Sequence, residues 1–302
     1  MGNNETDQSK NKLNVKRNFF GRYKKFWPEQ APDINIVQKY VSKYEKEKIV
    51  IKYGGNVLID RKVFNNFISD IDVLNKLGLS IIVVHGGGPR IKRELDKKKI
   101  VSKFINGLRV TDKNIIDTVE EVLIDFNNDI VSSLKKLGTE AASFHTKKNN
   151  IIEVEPEKEE LGFVGTPKKI KSNLIEEALN KNKIPIIAPL GLGENNQTFN
   201  INGDTAASAI AQKLKARRLI LMTNVEGVYD DKKNLISEIK PFDLDNLIKW
   251  KIVEGGMIPK IENCVDAVEN GVRGVVILDG RKPHSILHEI FSDTGSGTLI
   301  RK

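Results

Sequence analysis

Six short apolar runs alternate with longer stretches of helical spacing, and that alternation leaves few architectures open. The runs are KIVIK (48–52), SIIVV (80–84), EAASF (140–144), IPIIA (184–188), RLILM (218–222) and RGVVIL (273–278). Segments 61–76, 89–98, 113–137, 171–182, 204–215, 243–251 and 258–270 between them read as helices. In 113–137, Ile116, Val119, Val122, Leu123, Phe126, Ile130 and Leu134 recur at three and four residues, one face of a helix. Strands that are apolar throughout, with helices between, call for a parallel sheet covered on both faces. Residues 151–170, with five glutamates, read as a strand-and-loop excursion outside the core.

The 302 residues suffice for one large α/β domain or two small ones. The first 32 are polar and basic and close with WPEQAP, whose prolines interrupt any helix. The span 33–46 can form a helix with Ile34, Val37, Tyr40, Val41 and Tyr44 on one side, either padding the domain or meeting a partner. Of the net charge of +9, much sits between Lys10 and Lys25, where seven Lys/Arg occur without an acid. The body mixes both signs, so nucleic acid is not an expected partner. Cys264 is the only cysteine, which excludes an internal disulfide and fits a reducing compartment. No run of eighteen apolar residues and no leader pattern occurs, so no membrane is expected and the cytoplasm is the expected location.

Glycines stand where three strands end: Gly54-Gly55, Gly86-Gly87-Gly88, and Gly191 with Gly193. Ligands of open α/β sheets bind beyond the carboxyl ends of strands, where free backbone N–H groups gather. A single such glycine is commonly a turn; three sites, one a triple glycine followed by Pro89 at a helix start, point to phosphate. Neither G-x-x-x-x-G-K-[ST] nor G-x-G-x-x-G occurs, so lysines elsewhere must supply the charge. Lys52, on a buried strand, and Lys260, after GGMIP, are the candidates, against the ordinary fate of lysine as a surface residue. In FNINGDTAAS, Asn200, Asn202 and Asp204 alternate, and Asp204 either caps the next helix or serves the site.

The stretches IVIKYGGN, VVHGGGP, NGLRVTD, FNINGDTAA, LMTNVEGVYD and GGMIPKIENC, in this order from Lys48 onward, resemble the N-acetylglutamate kinase family of the amino-acid kinase superfamily. The resemblance implies a three-layer αβα sandwich with a mostly parallel central sheet, preceded by the N-terminal extension of residues 1–47. A substrate lobe at about 48–187 and an ATP lobe at about 188–302 are implied. So is ATP-dependent phosphorylation of N-acetyl-L-glutamate on its side-chain carboxylate, with Mg²⁺ carried by ATP and no metal held by the protein. By position, Lys52 and Lys260 match the transition-state lysines, Asp204 the aspartate that orients them, and Arg109 and Asn200 the substrate-binding pair. Gly87 and Gly88 match glycines that hold substrate and γ-phosphate, with Gly54, Gly55 and Gly86 in the phosphate loops. Gly203 departs from the family's usual alanine, Asn224 from aspartate and Arg90 from glutamine.

Arginine-inhibited members carry an N-terminal helix and a C-terminal pattern like residues 284–298. The resemblance therefore implies L-arginine as effector at Tyr40, Glu289 and Gly295, and a homohexamer built as a trimer of dimers. Competing readings are a catalytically silent arginine sensor, a related carboxylate or carbamate kinase, and a basic-tailed nucleic-acid binder.

Overall fold

The computed structural model describes residues 21, 23–54 and 60–302. A helix α1 (Ile34–Val41), capped by Asp33, precedes strand β1 (Lys48–Tyr53). Then follow α2 (Arg61–Lys76), β2 (Ser80–His85), α3 (Gly88–Lys97), β3 (Phe104–Ile105), β4 (Leu108–Arg109) and α4 (Lys113–Lys136). Next come β5 (Ala141–Phe144), β6 (Ile152–Pro156), β7 (Gly165–Ile170), α5 (Ser172–Asn180), β8 (Ile184–Ile187), β9 (Leu190–Leu192) and β10 (Thr198–Asn200). The remainder is α6 (Gly203–Leu214), β11 (Arg218–Thr223), β12 (Glu238–Ile239), α7 (Leu244–Lys249), α8 (Met257–Glu269), β13 (Val275–Asp279), α9 (Ser285–Ile290) and β14 (Gly297–Ile300).

The central sheet has eight strands in the order β12-β14-β13-β11-β1-β2-β8-β5. All pairings run parallel except β13 with β14, so the expected mostly parallel sheet carries a reversed edge. Side chains on a strand alternate between faces, and β1 shows the consequence. Ile49, Ile51 and Tyr53 enter one core with α1, α2 and part of α4, and Tyr53 stacks on Phe67 at 4.0 Å between ring centres. Val50 enters the other core with Ala206, Ala207 and Ile210 of α6. Those alanines let α6 lie close to β1. Lys52 shares the parity of Val50, so its side chain is directed toward α6.

A second sheet, in the order β10-β9-β6-β7, flanks the first. Its Ile152, Val154, Ile170 and Phe199 belong to the same core as α6, so the glutamate-rich 151–170 segment is not outside the core as expected. The glutamates take the outward positions and leave the alternate residues inside. This sheet also straddles the expected 187/188 lobe boundary. Gly191 and Gly193 serve packing: a Cβ would stand 2.4 Å from Val154 Cγ1 at the first and 2.6 Å from Phe199 Cε2 at the second. Their expected role at a phosphate site is replaced by close sheet packing.

The face of α1 that the sequence left open is used within the chain, since Ile34, Val37 and Tyr40 are buried in the core with β1. Trp27 packs on Phe291 at 6.1 Å and His288 Nε2 lies 2.8 Å from the Gln30 carbonyl, joining the extension to the C-terminal segment. Among the described residues, no helix is long and apolar enough to cross a membrane.

Candidate active site

β1 and β2 end side by side, with Tyr53 opposite His85, and two helices begin just beyond them. α3 opens on Gly87 as cap, with Pro89 in its first turn, where a missing N–H costs no hydrogen bond. α6 opens on Asn202, whose side chain accepts from the amides of Asp204 at 2.9 Å and Thr205 at 3.2 Å. The sequence allowed Asp204 to be that cap. The structure gives capping to Asn202, two residues earlier, and leaves the Asp204 carboxylate free for other partners.

Those partners are the two lysines. Lys52 Nζ lies 2.9 Å from Asp204 Oδ1, and Lys260 Nζ, from the first turn of α8, bonds Oδ2. Burial of Asp204 alone would raise its pKa; the charges of Lys52 and Lys260, with their hydrogen bonds, outweigh it and hold the carboxyl well below the usual range. Two cations against one anion leave the cluster with a net positive charge. A Cβ on Gly54 would stand 2.2 Å from Lys52 Nζ, and one on Gly203 would stand 3.2 Å from Lys52 Cε. Both glycines therefore clear the path along which Lys52 reaches Asp204. Gly55 lies outside the described residues.

Arg109 is placed by a tight hairpin. Asn106 and Gly107 take φ of 49° and 80°, joining β3 to β4 through a two-residue turn. Phe104 sits opposite Arg109 in that ladder, and the guanidinium lies 4.7 Å over its ring. Arg109 also donates to Ser102 Oγ and to the Gly88 carbonyl at 3.3 Å. It is 8% exposed and makes no ion pair among the described residues. A buried guanidinium without an acid is a receptor for an anion. Asn200 Nδ2 donates to Thr111 Oγ1 at 3.2 Å, and that hydroxyl donates to the Arg109 carbonyl at 2.8 Å.

These groups surround two neighbouring spaces. A pocket of about 160 Å³ is lined by Lys52, Gly86, Gly87, Gly88, Arg109 and Asn200. A wider cleft of about 710 Å³ is lined by Asp204, Gly255, Gly256, Ile258 and Lys260. Gly107, Leu108 and Asn202 border both. Lys52 thus belongs to the small pocket, Lys260 to the cleft, and Asp204 ties them together. Ser102, Phe104 and Thr111 were missed by the sequence reading; the Asn-Gly pair at 106–107 was the available signal for the hairpin. No group of three or more His, Cys, Asp or Glu is gathered for a metal among the described residues.

The residues expected to meet an effector lie elsewhere. Glu289 is buried in α9, and its Oε2 accepts from the Ser296 amide at 2.9 Å. Gly295 has φ of 69°, and a Cβ there would stand 2.7 Å from Glu289 Oε2, so the loop wraps the carboxylate closely. Tyr40 is buried on α1, whose Lys39 pairs with Asp293 of the same loop at 3.1 Å. The structure brings Glu289 and Gly295 into contact and sets Tyr40 on the helix held to their loop.

Residues 47–279 match the sequence profile of the Amino acid kinase family. The chain is 54% identical over 275 residues to the acetylglutamate kinase of Pelagibacter ubique (strain HTCC1062), covering 91% of this chain and 96% of that protein. It is 46% identical over 279 residues to the acetylglutamate kinase of Clostridioides difficile (strain 630), covering 91% and 98%. Among solved structures, N-acetylglutamate synthase from Neisseria gonorrhoeae, complexed with coenzyme A and N-acetyl-glutamate, superposes with a TM-score of 0.80 at 23% identity. That match covers 88% of this chain and 62% of the synthase, and it speaks to fold alone.

Proposed function

The chain belongs to the amino acid kinase family, and from that premise we infer that it transfers the γ-phosphoryl group of ATP to the side-chain carboxylate of N-acetyl-L-glutamate. The products are ADP and N-acetyl-L-glutamyl 5-phosphate, the second step of arginine synthesis. The observation that carries the reading is the pair of lysines, one from each space, held on a single aspartate between them.

The chemistry suits these groups. A side-chain carboxylate of ordinary pKa, about 4.3, is ionised at neutral pH, so the nucleophile needs no base. One of its oxygens bonds to the γ-phosphorus while the bond to the bridging oxygen breaks, and ADP leaves with the electron pair. The obstacle is repulsion between an anion and an anionic phosphate, which positioned positive charge relieves. Lys52 and Lys260 provide it, and Asp204 keeps both ammonium groups in place. Arg109 grips the α-carboxylate bidentately, which lysine does not do. Asn200 holds the substrate beside it, Gly87 and Gly88 offer amides, and Gly54 and Gly86 belong to the phosphate loops. Both Asp204 oxygens face lysines, so Mg²⁺ would be carried by the nucleotide phosphates and would supply charge neutralisation there. The substrate lobe is then the 48–187 side and the ATP lobe the 188–302 side, with Asn200 contributed across that boundary.

ADP release measured with N-acetyl-L-glutamate, L-glutamate, L-aspartate and carbamate tests the assignment. Turnover with the first well above the others is expected; preference for any other acceptor would overturn it.

L-Arginine as inhibitor, bound at Glu289, Gly295 and Tyr40, belongs to the same proposal. Its support is a buried carboxylate whose ionisation burial opposes and which makes no ion pair among the described residues. The homohexamer, a trimer of dimers, is proposed with it; Ile36 is the large apolar side chain α1 leaves exposed for such a contact. Removing residues 1–46 is expected to abolish both hexamer and arginine response, measured by light scattering and inhibition curves. The cytoplasm is the proposed location, in keeping with Cys264 as a buried free thiol.

A further inference from the structure

The residue before the triple glycine is buried completely. His85 ends β2, and its Nδ1 lies 2.9 Å from the Gly86 carbonyl oxygen. A carbonyl only accepts, so Nδ1 carries the proton. In the neutral ring Nε2 is then an acceptor, and Nδ2 of Asn127 stands 3.2 Å from it. The same amide nitrogen donates its other hydrogen to the Ile186 carbonyl at 2.9 Å. Reversing the amide would set two oxygens face to face at Ile186, so the orientation of Asn127 is determined by its surroundings. Asn127, on α4, is also fully buried, and its Oδ1 meets no donor among the described residues. An apolar side chain would fill the place without an unpaired oxygen; what Asn127 adds is its nitrogen.

Peptide geometry connects this chain of bonds to the pocket. In the planar Gly86–Gly87 peptide, C=O and N–H point in opposite directions. Holding the Gly86 oxygen against the buried His85 ring turns the Gly87 N–H away from the core, on the side of the pocket that Gly87 lines. One peptide further on, the Gly87 oxygen accepts from the Ile91 amide at 2.8 Å, which turns the Gly88 N–H out of the first turn of α3. A Cβ on Gly88 would meet nothing within 4 Å, so that side is open.

We propose that Asn127 is a positioning residue for phosphoryl transfer: it fixes the tautomer of His85, and His85 aims the amide of Gly87, beside that of Gly88, at the transferred group. The proposal rests on the kinase reading above. Burial, together with the charges of Arg90 and His145 and against the Gly86 bond, pushes His85 down to about 4, so the ring stays neutral in neutral solution.

The test uses the full chain with Asn127→Leu, His85→Ala and His85→Asn, the last keeping an amide donor near the Nδ1 position. In Asn127→Leu and His85→Ala, kcat is expected to fall about 100-fold, the scale of a misplacement near 1 Å. KM for N-acetyl-L-glutamate, which Arg109 and Asn200 hold, is expected to change far less. His85→Asn is expected to recover part of the loss, and ¹⁵N spectra of the wild-type ring should place the proton on Nδ1. A proton on Nε2, or folded Asn127→Leu protein with unchanged kcat, would overturn the proposal. So would His85→Asn no better than His85→Ala, which also decides the matter if Asn127→Leu does not fold. A wild-type protein inactive on N-acetyl-L-glutamate would defeat the functional reading alone, because the ring spectrum needs no turnover.

Discussion

Asp204 and Glu289 are both carboxylates withdrawn from water, yet their surroundings treat them in opposite ways. Asp204 has a lysine on each oxygen and is held ionised. Glu289 has the Ser296 amide, with Lys43 and Arg218 acting only through their charge, and burial keeps its pKa above the usual value. The first site is complete in itself and carries a surplus of positive charge, so it calls for anions. The second is short of a counter-ion, so it calls for a cation. One fold thus carries surplus positive charge at one corner and a buried carboxylate without a counter-ion at another, the corner to which the proposal assigns a basic effector.

The largest effect that tests this contrast is Asp204→Asn. Removing one partner from a buried charge cluster costs about 3–5 kcal/mol, to be read from denaturant unfolding of the ligand-free protein. The sign with pH follows from the depressed folded pKa. The Asp204 contribution is in force above the unfolded value of 3.8 and is lost as pH falls through the lower folded one. Asp204→Asn should therefore lie furthest below wild type near neutral pH and approach it in acid. Glu289→Gln should behave oppositely. A folded pKa raised above 4.5 contributes stability below that value and loses it as pH rises, so the variant should gain on wild type toward neutral pH.

Next in size, Glu289→Gln is expected to raise the half-inhibiting arginine concentration about 10- to 100-fold, the worth of one hydrogen bond to a charged group. An unchanged inhibition curve would detach Glu289 from the effector. Smaller again is Gly54→Ala. Its Cβ would fall 2.2 Å from Lys52 Nζ, the mobile end of a flexible side chain. The lysine swings aside, so turnover should drop about tenfold, as a loss near 1.4 kcal/mol implies, while melting temperature barely moves. A large fall in melting temperature instead would mean the glycine serves the fold rather than Lys52.

Much of this was legible in the sequence, for physical reasons. Strands buried on both faces have no polar alternation, so 48–52, 80–84 and 218–222 stood out, and a lysine ending such a run is conspicuous. The pairing of Lys52, Asp204 and Lys260 was legible only through the family resemblance, because their positions span more than two hundred residues of chain. β3, β4 and β12 are two residues long, too short for any period to register. The sequence left the role of Asp204 open between cap and site because asparagine and aspartate cap equally well, and only the backbone decides between positions 202 and 204. The glycines at 191 and 193 follow an apolar run as a phosphate loop does, and only their neighbours Val154 and Phe199 reveal packing instead.

The central claim is that Lys52 and Lys260 act as one unit on the group in transit. Steady-state turnover of N-acetyl-L-glutamate by Lys52→Ala, Lys260→Ala and the double variant tests it most directly. Each single change should lower kcat about 10²- to 10³-fold, the loss seen when one charge-stabilising donor is removed. The double variant should be little worse than the poorer single one, because residues that work as a unit are not additive. A near-normal rate in either single variant, or losses that simply multiply, would contradict the account.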